Sequence, residues 1–309
     1  MIPLISSMCM GPLGVRQLPR TWWKVILGEV ELLDQTYPDC SPELDQWCLH
    51  ALELDRERTL LFLRDLRPTY LEFEAWILEQ KGGSLDPARI DRWNKSVEKR
   101  VHVNPRKIEE TYPDIGFDMT EVRITSAVIL NCMQDWSLFY KNDLMSESSD
   151  LTFSISPLIS SLDVGPLGVL QLPRIWLKIL MKAKGVLHPD YPDCGDGLDS
   201  DVLDVLGLDK AKTLDYLRNE TPTYFQFETW VSEHVSNQLD WNKIHEWHSF
   251  VINRIHSEQK RVDIHQTIGR EDDGEITHGV ILNHLEDWAY AYRAVMEKVG
   301  KTANSKRQA

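Results

Sequence analysis

Apolar residues recur along this chain at the three- and four-residue spacing of amphipathic helices. Each half carries one such run near its end: Ile129, Met133, Trp136 and Tyr140 in the first, and Ile281, Leu285, Trp288 and Tyr292 in the second. No segment alternates apolar and polar residues with the period of two that is typical of a half-buried strand. The pattern therefore predicts an all-α, mainly helical protein.

Capping signals mark where some of these helices begin. Thr69 is followed three residues later by Glu72, and Thr223 by Gln226, which is the spacing of a capping box. The dipeptide Asp86–Pro87 places a capping side chain before a first-turn proline. We therefore expect helices to open at equivalent places in both halves.

The two halves are copies of one another. Gly11–Gly14 and Gly165–Gly168 share the sequence Gly-Pro-Leu-Gly at an offset of 165 − 11 = 154, and Tyr37–Cys40 matches Tyr191–Cys194 at the same offset. Near residues 113–124 the second copy loses two residues. The alignment predicts a first repeat, a serine-rich acidic linker, a second repeat and a disordered tail, at residues 1–141, 142–154, 155–300 and 301–309.

Two copies indicate a duplication, because repeat arrays generally need at least three units to bury a core. A duplicated domain usually inherits the contact of an ancestral dimer. We therefore expect two homologous helical domains packed about a pseudo-twofold axis, and a monomeric pseudo-dimer in solution.

Composition and charge exclude several classes of partner. The chain has 34 Lys and Arg against 48 Asp and Glu, and its formal net charge of −14 repels nucleic-acid phosphates and anionic lipid headgroups. No apolar stretch reaches the roughly 18 residues of a membrane span. The five cysteines include no Cys-x-x-Cys pair, which favours a reducing, cytoplasmic location. We expect neither a nucleic-acid nor a membrane partner.

A succession of short motifs runs through each half. They are Leu167–Gly168, Leu172–Arg174, Lys178, Tyr191, Cys194, Leu198–Asp199, Leu206–Asp209 and Trp230, with Trp93–Asn94 and Arg100 in the first copy. This succession resembles a family of bacterial single-domain proteins, the domain of unknown function 5069 family. Because that family has no assigned activity, the resemblance implies a shared fold and recurring polar residues, and it implies no reaction.

Two pairs of cations are candidates for binding a ligand. Arg20 and Lys24, like Arg174 and Lys178, stand four residues apart on one helix face. An arginine fork beside an ammonium suits an anionic group of a substrate. The other residues predicted to bind that substrate are Trp176, Trp230, Tyr224 and Glu228. The alternative is that these cations pair with internal carboxylates such as Glu74 or Glu228.

Polar residues in the last helix of each copy are candidates for catalysis. Asn131 and Asp135 are four residues apart in an otherwise apolar stretch, and Asn283 and Asp287 repeat them. Such a pair suits acid–base chemistry. The alternative is a buried hydrogen-bond network that holds helices together.

Other motifs point away from metals and nucleotides. Cys40 and Cys194 lack a repeated histidine that would serve as their base, and the histidines show no metal-binding spacing. The acidic run Glu271–Glu275 is predicted to be a solvated turn. The chain has no Gly-x-Gly-x-x-Gly, Walker or Gly-x-Ser-x-Gly motif. We expect no metal and no cofactor.

Two classes of function fit these features. The first is a cofactor-independent enzyme that acts on a small organic molecule in an aromatic-lined pocket, with the chemistry of a cyclase, isomerase or lyase. The eleven tryptophans are consistent with such a pocket, although most are expected in the core. The alternative is a non-catalytic protein that binds a small molecule or acts as a scaffold.

Overall fold

The computed structural model describes residues 1–118, 124–235 and 239–308, and within them the chain is helical without any strand. The α-helices of this described part are α1 Leu18–Glu29, α2 Leu44–Ala51, α3 Arg56–Leu66, α4 Tyr70–Gln80, α5 Pro87–Glu98, α6 Pro105–Ile115, α7 Ala127–Leu138, α8 Leu172–Ala183, α9 Leu198–Leu206, α10 Lys210–Glu220, α11 Tyr224–His234, α12 Trp241–Ile252, α13 Glu258–Ile268 and α14 Gly279–Gln308. The all-α prediction is confirmed. None of the helices in these residues is both long and apolar enough to span a membrane.

The capping boxes predicted from the sequence open α4 and α11. The Thr69 backbone N–H donates to Glu72 Oε2 over 2.7 Å, and that of Thr223 donates to Gln226 Oε1 over 2.9 Å. Asp86 accepts from two backbone amides at the start of α5. These signals succeed because a cap depends only on residues within one helical turn.

The first helix of each copy, α1 or α8, forms the centre of a core. Trp22 and Trp176 are fully buried, and each indole Nε1 donates to a proline carbonyl over 2.9 Å. Burying a side chain of about 200 Å² contributes on the order of 5 kcal/mol before entropy is counted. Each helix is preceded by a buried glutamine in the left-handed region, Gln17 with φ 71° and Gln171 with φ 73°. The core therefore holds a strained residue at the same place in both copies.

The helices form two compact units that cross the boundaries of the sequence repeats. Unit one comprises Met1–Lys99 and the chain from His256 onward, so it contains α1–α5, α13 and α14. Unit two comprises Arg100–Ile255 and contains α6–α12. Each unit therefore joins five helices of one copy to the last two helices of the other.

Equivalent contacts hold the last helix of each copy, α7 or α14, within its unit. In unit one, Trp288 of α14 packs edge-on against Tyr70 of α4 with ring centroids 4.7 Å apart. In unit two, Trp136 of α7 makes the same contact with Tyr224 of α11, also at 4.7 Å. The two units thus use the same residues of the repeat at this contact.

The predicted linker and tail both begin in helical structure. A π-helical turn, Phe139–Leu144, continues α7 into the linker. Helix α14 runs on to Gln308 because no proline interrupts it, and it therefore passes through most of the segment predicted as a tail. Residue 309 lies outside the described residues.

Candidate active site

The predicted ligand-binding lysines are paired inside the protein. Lys24 Nζ lies 2.6 Å from Asp45 Oδ2, and Lys178 Nζ lies 2.5 Å from Asp199 Oδ2, with all four side chains buried. Burial raises the pKa of the Asp45 carboxyl, but the Lys24 ammonium and several hydrogen bonds outweigh it and hold that pKa below its usual value. The two lysines are therefore paired with internal carboxylates, as the alternative predicts, but the partners are Asp45 and Asp199 and not Glu74 and Glu228.

The predicted ligand-binding arginines hold the segment that precedes their own helix. Arg20 donates through Nη1 to the carbonyls of Pro3 and Ile5, over 2.6 and 2.9 Å. Arg174 makes the same two bonds in the second copy, over 2.6 and 2.7 Å, to Pro157 and Ile159. These bonds tie the segment to the helix. Anion binding by the four cations stays a prediction.

The predicted catalytic pairs lie on the last helices and belong to different units. His102 Nε2 lies 2.9 Å from Asn131 Oδ1 in unit two, and His256 Nε2 lies 2.7 Å from Asn283 Oδ1 in unit one. Asp135 is buried in unit two, and Asp287 is buried in unit one. Since Arg174 and Lys178 are in unit two, the structure groups them with Asp135 and not with Asp287.

The predicted tryptophans occupy different environments. Trp176 is fully buried in the core of unit two. Trp230 is half-buried on α11, where it stacks on Tyr216 at 4.8 Å and on His234 at 4.0 Å between ring centroids. The core position of Trp176 makes it a packing residue, whereas Trp230 lies in an aromatic stack.

A buried carboxylate and a tyrosine form the same pair in both units, and we call these pairs dyads. In unit one, Tyr70 Oη donates to Glu74 Oε1 over 2.7 Å, and the Leu13 amide lies 3.3 Å from both carboxylate oxygens. In unit two, Tyr224 Oη donates to Glu228 Oε1 over 2.6 Å, and the Leu167 amide repeats the contact at 3.3 Å. The dyads place the predicted substrate-binding residues Tyr224 and Glu228 in direct contact.

Glycine permits this close approach. A Cβ on Gly11 would lie 2.3 Å from Tyr70 Cε1 and 2.6 Å from Glu74 Oε1, and a Cβ on Gly165 would lie 2.4 Å from the matching atoms of unit two. Real Cβ atoms do not approach other heavy atoms so closely. The first glycine of the repeated Gly-Pro-Leu-Gly sequence is therefore required where the chain crosses the dyad.

The dyad carboxyls bind protons unusually tightly. Burial raises the pKa of both Glu74 and Glu228 to about 7, although the tyrosine and backbone hydrogen bonds oppose the shift. Within the described residues, no lysine, arginine or histidine forms an ion pair with either carboxylate. Burial, followed by the glutamate charge, also raises the pKa of Tyr70 and Tyr224 well above its usual value. At neutral pH, each tyrosine therefore keeps its proton and each glutamate can gain or lose one.

Glu74 lines a pocket of about 640 Å³ in unit one, which we call the Glu74 pocket. Its described lining residues are Pro12, Leu13, Thr69, Leu71, Glu72, Glu74, Ala75, Leu78, Ile268, Gly269, Arg270, Glu275 and Ile276. Leu71, Glu74 and Leu78 are spaced three and four residues apart along α4, so one helix face supplies them. The volume is in the range that small-molecule sites occupy.

The residue that follows the last turn of α13 differs from its equivalent after α6. Gly269 and Gly116 end these helices with φ 73° and 80°, and the next residues are Arg270 and Phe117. Both of those residues donate a backbone bond of 2.9 Å to the carbonyl five positions earlier, which makes them equivalent. Unit two therefore has an aromatic residue where the Glu74 pocket has a charged one.

The aromatic residue of unit two has an aromatic partner. Phe117 packs edge-on against Phe225 with ring centroids 4.8 Å apart. Phe225 occupies the position of Leu71, because the capping threonines align the first turns of α4 and α11. The two units thus share the dyad and differ in the residues beside it.

The sequence predicts only part of this arrangement. It predicts Tyr224 and Glu228 as substrate-binding residues and Glu74 only as a possible partner for cations, and it predicts no role for Tyr70. The available signal was a tyrosine and a glutamate four residues apart, repeated in both copies together with Gly-Pro-Leu-Gly. The chain matches no protein-family model, and neither the curated proteins nor the solved structures contain a significant match to it.

Proposed function

We propose that this chain is a cofactor-independent enzyme that moves a proton on a small organic substrate held in the Glu74 pocket. The observation that carries the proposal is that Glu74 lines a pocket and that its buried carboxylate is bonded to a phenol and a backbone amide and to no cation of the described chain. A group that exchanges its proton near neutral pH suits general acid–base catalysis. Isomerisation and elimination are the reaction types that this chemistry serves.

The dyad residues have distinct roles in this proposal. Glu74 takes a proton from the substrate and returns it at another atom or to a leaving group. Tyr70 keeps its own proton and donates a hydrogen bond to Glu74 Oε1, which positions the carboxylate. The Leu13 amide supports the same group from the chain segment that covers it. Tyr70 is therefore a positioning residue, and Glu74 is the catalytic one.

Deuterium uptake tests this function without knowledge of the product. Small carbonyl compounds, amines and amides are incubated with the protein in heavy water, and loss of C–H signals is followed by NMR. The expected result is exchange in at least one compound, lowered about a hundredfold or more in Glu74→Gln and unchanged in Glu228→Gln. Exchange no faster than in buffer for every one of the carbonyl compounds, amines and amides that occupy the pocket would contradict the proposal.

The alternative function, a non-catalytic binding or scaffold protein, is favoured by one observation. Both units repeat the dyad with the same glycine contact, as a purely structural clamp would. Under this alternative, Glu74→Gln changes stability and leaves every chemical rate unaltered. The deuterium experiment therefore separates the two functions.

Several broader features belong to the same proposal. We propose that each half is related to the domain of unknown function family that it resembles, that the halves pack about a pseudo-twofold axis, and that the chain works as a monomer in the cytoplasm. The support for these points is the internal repeat and the composition. Light scattering that gives a single-chain mass would agree with the monomer, and a stable dimer would contradict it.

A further inference from the structure

The charge around the Glu74 pocket is predominantly negative. Its described lining includes three carboxylate side chains, Glu72, Glu74 and Glu275, and one cation, Arg270. The Arg270 guanidinium lies 2.5 Å from Asp273 Oδ2 and 2.7 Å from Glu275 Oε2. Because two carboxylates already neutralise Arg270, the pocket offers a ligand an excess of negative charge.

The remainder of the pocket wall is largely apolar. Leu71 and Leu78 contribute from α4, Ile268 from the end of α13, and Ile276 from the loop that follows it. An apolar wall of this kind binds hydrocarbon by removing it from water. A ligand that matches the whole pocket therefore combines a positive charge with an apolar body.

We infer that the Glu74 pocket binds a small organic ammonium ion, with its charged nitrogen at the Glu74 carboxylate and its hydrocarbon part against the leucines and isoleucines. The inference rests on the proposed function for its site and names the class of substrate. A carboxylate or phosphate ligand gains nothing from Glu74 in either protonation state and would be repelled by the excess negative charge of the other carboxylates around the pocket.

The chemistry of the pocket favours an organic cation over a metal ion. No group of three or more His, Cys, Asp or Glu side chains in the described residues is arranged to hold a metal. A hard divalent cation takes six or more oxygen ligands, whereas an ammonium needs only one to three acceptors. The aliphatic side chains of the wall, such as Leu71, Leu78 and Ile268, would also contribute nothing to a hydrated metal.

Ammonium binding is coupled to the proton on Glu74. A positive charge beside a carboxylate favours its ionised form, so it lowers the carboxyl pKa. Burial holds the pKa of Glu74 at about 7 in the unliganded protein. Below that pH the bound ammonium therefore displaces a proton into the solvent. This release distinguishes binding at Glu74 from binding at an ionised surface glutamate.

The test compares three probes of equal length: hexylammonium, hexanol and hexanoate. Calorimetry of the full-length chain at about pH 6, in buffers of different ionisation enthalpy, gives both affinity and proton release. The inference predicts saturable binding of hexylammonium with proton release, about tenfold weaker binding of hexanol, and no detectable binding of hexanoate. Equal binding of hexanol, or preferred binding of hexanoate, would overturn it.

Matched variants locate the binding. Glu74→Gln is expected to weaken hexylammonium binding about tenfold and to abolish proton release, whereas Glu228→Gln, the same change in unit two, leaves both unaltered. Glu275→Gln, at an exposed position, gives a smaller loss without requiring a buried change. Equal effects of the Glu74 and Glu228 variants would overturn the inference. So would displacement of hexylammonium by micromolar Mg²⁺.

These results remain distinct from a failure of the proposed function. Ammonium binding requires no turnover, so an absence of deuterium exchange leaves the ligand class intact. Conversely, Glu74-dependent exchange in an anionic or neutral substrate, together with no hexylammonium binding, would support the enzyme and refute the ammonium ligand.

Discussion

The two dyads share their central residues and differ in what surrounds them. Glu74 and Glu228 have the same tyrosine bond, the same amide contact and the same raised pKa of about 7. Beside them, unit one has the charged Arg270 and unit two has the aromatic Phe117. The shared residues therefore belong to the fold of the repeat, and the proposal of a ligand for unit one alone rests on the residues that differ.

Replacing a dyad glutamate should have the largest effect on function, and the size of that effect should differ between the two units. We expect Glu74→Gln to lower the proton-transfer rate by a factor of about 100 to 10,000, because an amide cannot accept the substrate proton. Glu228→Gln should change the rate less than about threefold, since unit two has Phe117 and Phe225 at the positions of the pocket residues Arg270 and Leu71. The rates are compared in the deuterium assay. Equal losses in the two variants would contradict the assignment of the activity to unit one alone.

The pH dependence of stability should be the same for both dyads. Because the folded pKa is raised from 4.5 to about 7, each carboxyl favours folding most when protonated. The free energy of unfolding should fall as pH rises from 4.5 to about 7 and then level off, by about 3 kcal/mol for each carboxyl. Urea unfolding across this pH range measures the slope.

Neutral variants provide the control for that slope. Glu74→Gln and Glu228→Gln should each remove about half of the decline that the two carboxyls cause, and the double variant should lose it entirely. A pH slope that is the same in the wild-type protein and in the double variant would contradict the raised pKa of the two glutamates.

Substitution of Gly11 or Gly165, the glycines that contact the dyads, should lower the stability of both units to the same extent. Gly11→Ala and Gly165→Ala place a methyl group within 2.4 Å of a tyrosine carbon, so we expect each to cost about 2 kcal/mol of unfolding free energy. Gly197→Ala, which meets nothing within 4 Å, should cost less than about 0.5 kcal/mol. Urea unfolding at one pH compares the three, and a harmless Gly11→Ala would contradict the close packing of the dyad.

The smallest effect is expected from the caps. Thr69→Ala and Thr223→Ala each remove a hydroxyl from a capping box and should cost about 1 kcal/mol, equally in the two units. Serine at either position should restore most of the loss. If Thr69→Ala alone were destabilising, the two helices would not be equivalent at their first turns.

Local features of the fold could be predicted from the sequence. The capping boxes of α4 and α11 and the helical spacing of Ile129 to Tyr140 involve residues within a few turns of one another. The sequence could not predict that the last helix of the second copy, α14, packs with the helices of the first copy in unit one. The repeat gives α7 and α14 nearly equivalent apolar faces, so the pattern alone does not say against which copy each one packs.

The candidate site was only partly predictable for a related reason. The sequence shows that Glu74 is four residues from Tyr70, but its pKa depends on where distant cations lie. Lys24 pairs with Asp45, twenty-one positions away in the chain, and within the described residues no cation forms an ion pair with Glu74. Charge pairing between elements is a tertiary property, and helical spacing does not determine it.

The titration of the Glu74 carboxyl tests the central claim most directly. Carbon-13 NMR of the side-chain carboxyls, in the Glu228→Gln variant so that one dyad remains, follows Glu74 with pH, and Glu74→Gln identifies its signal. The account predicts a midpoint at about 7 that moves down when hexylammonium is added. A midpoint near the ordinary value of 4.5, unchanged by hexylammonium, would contradict it.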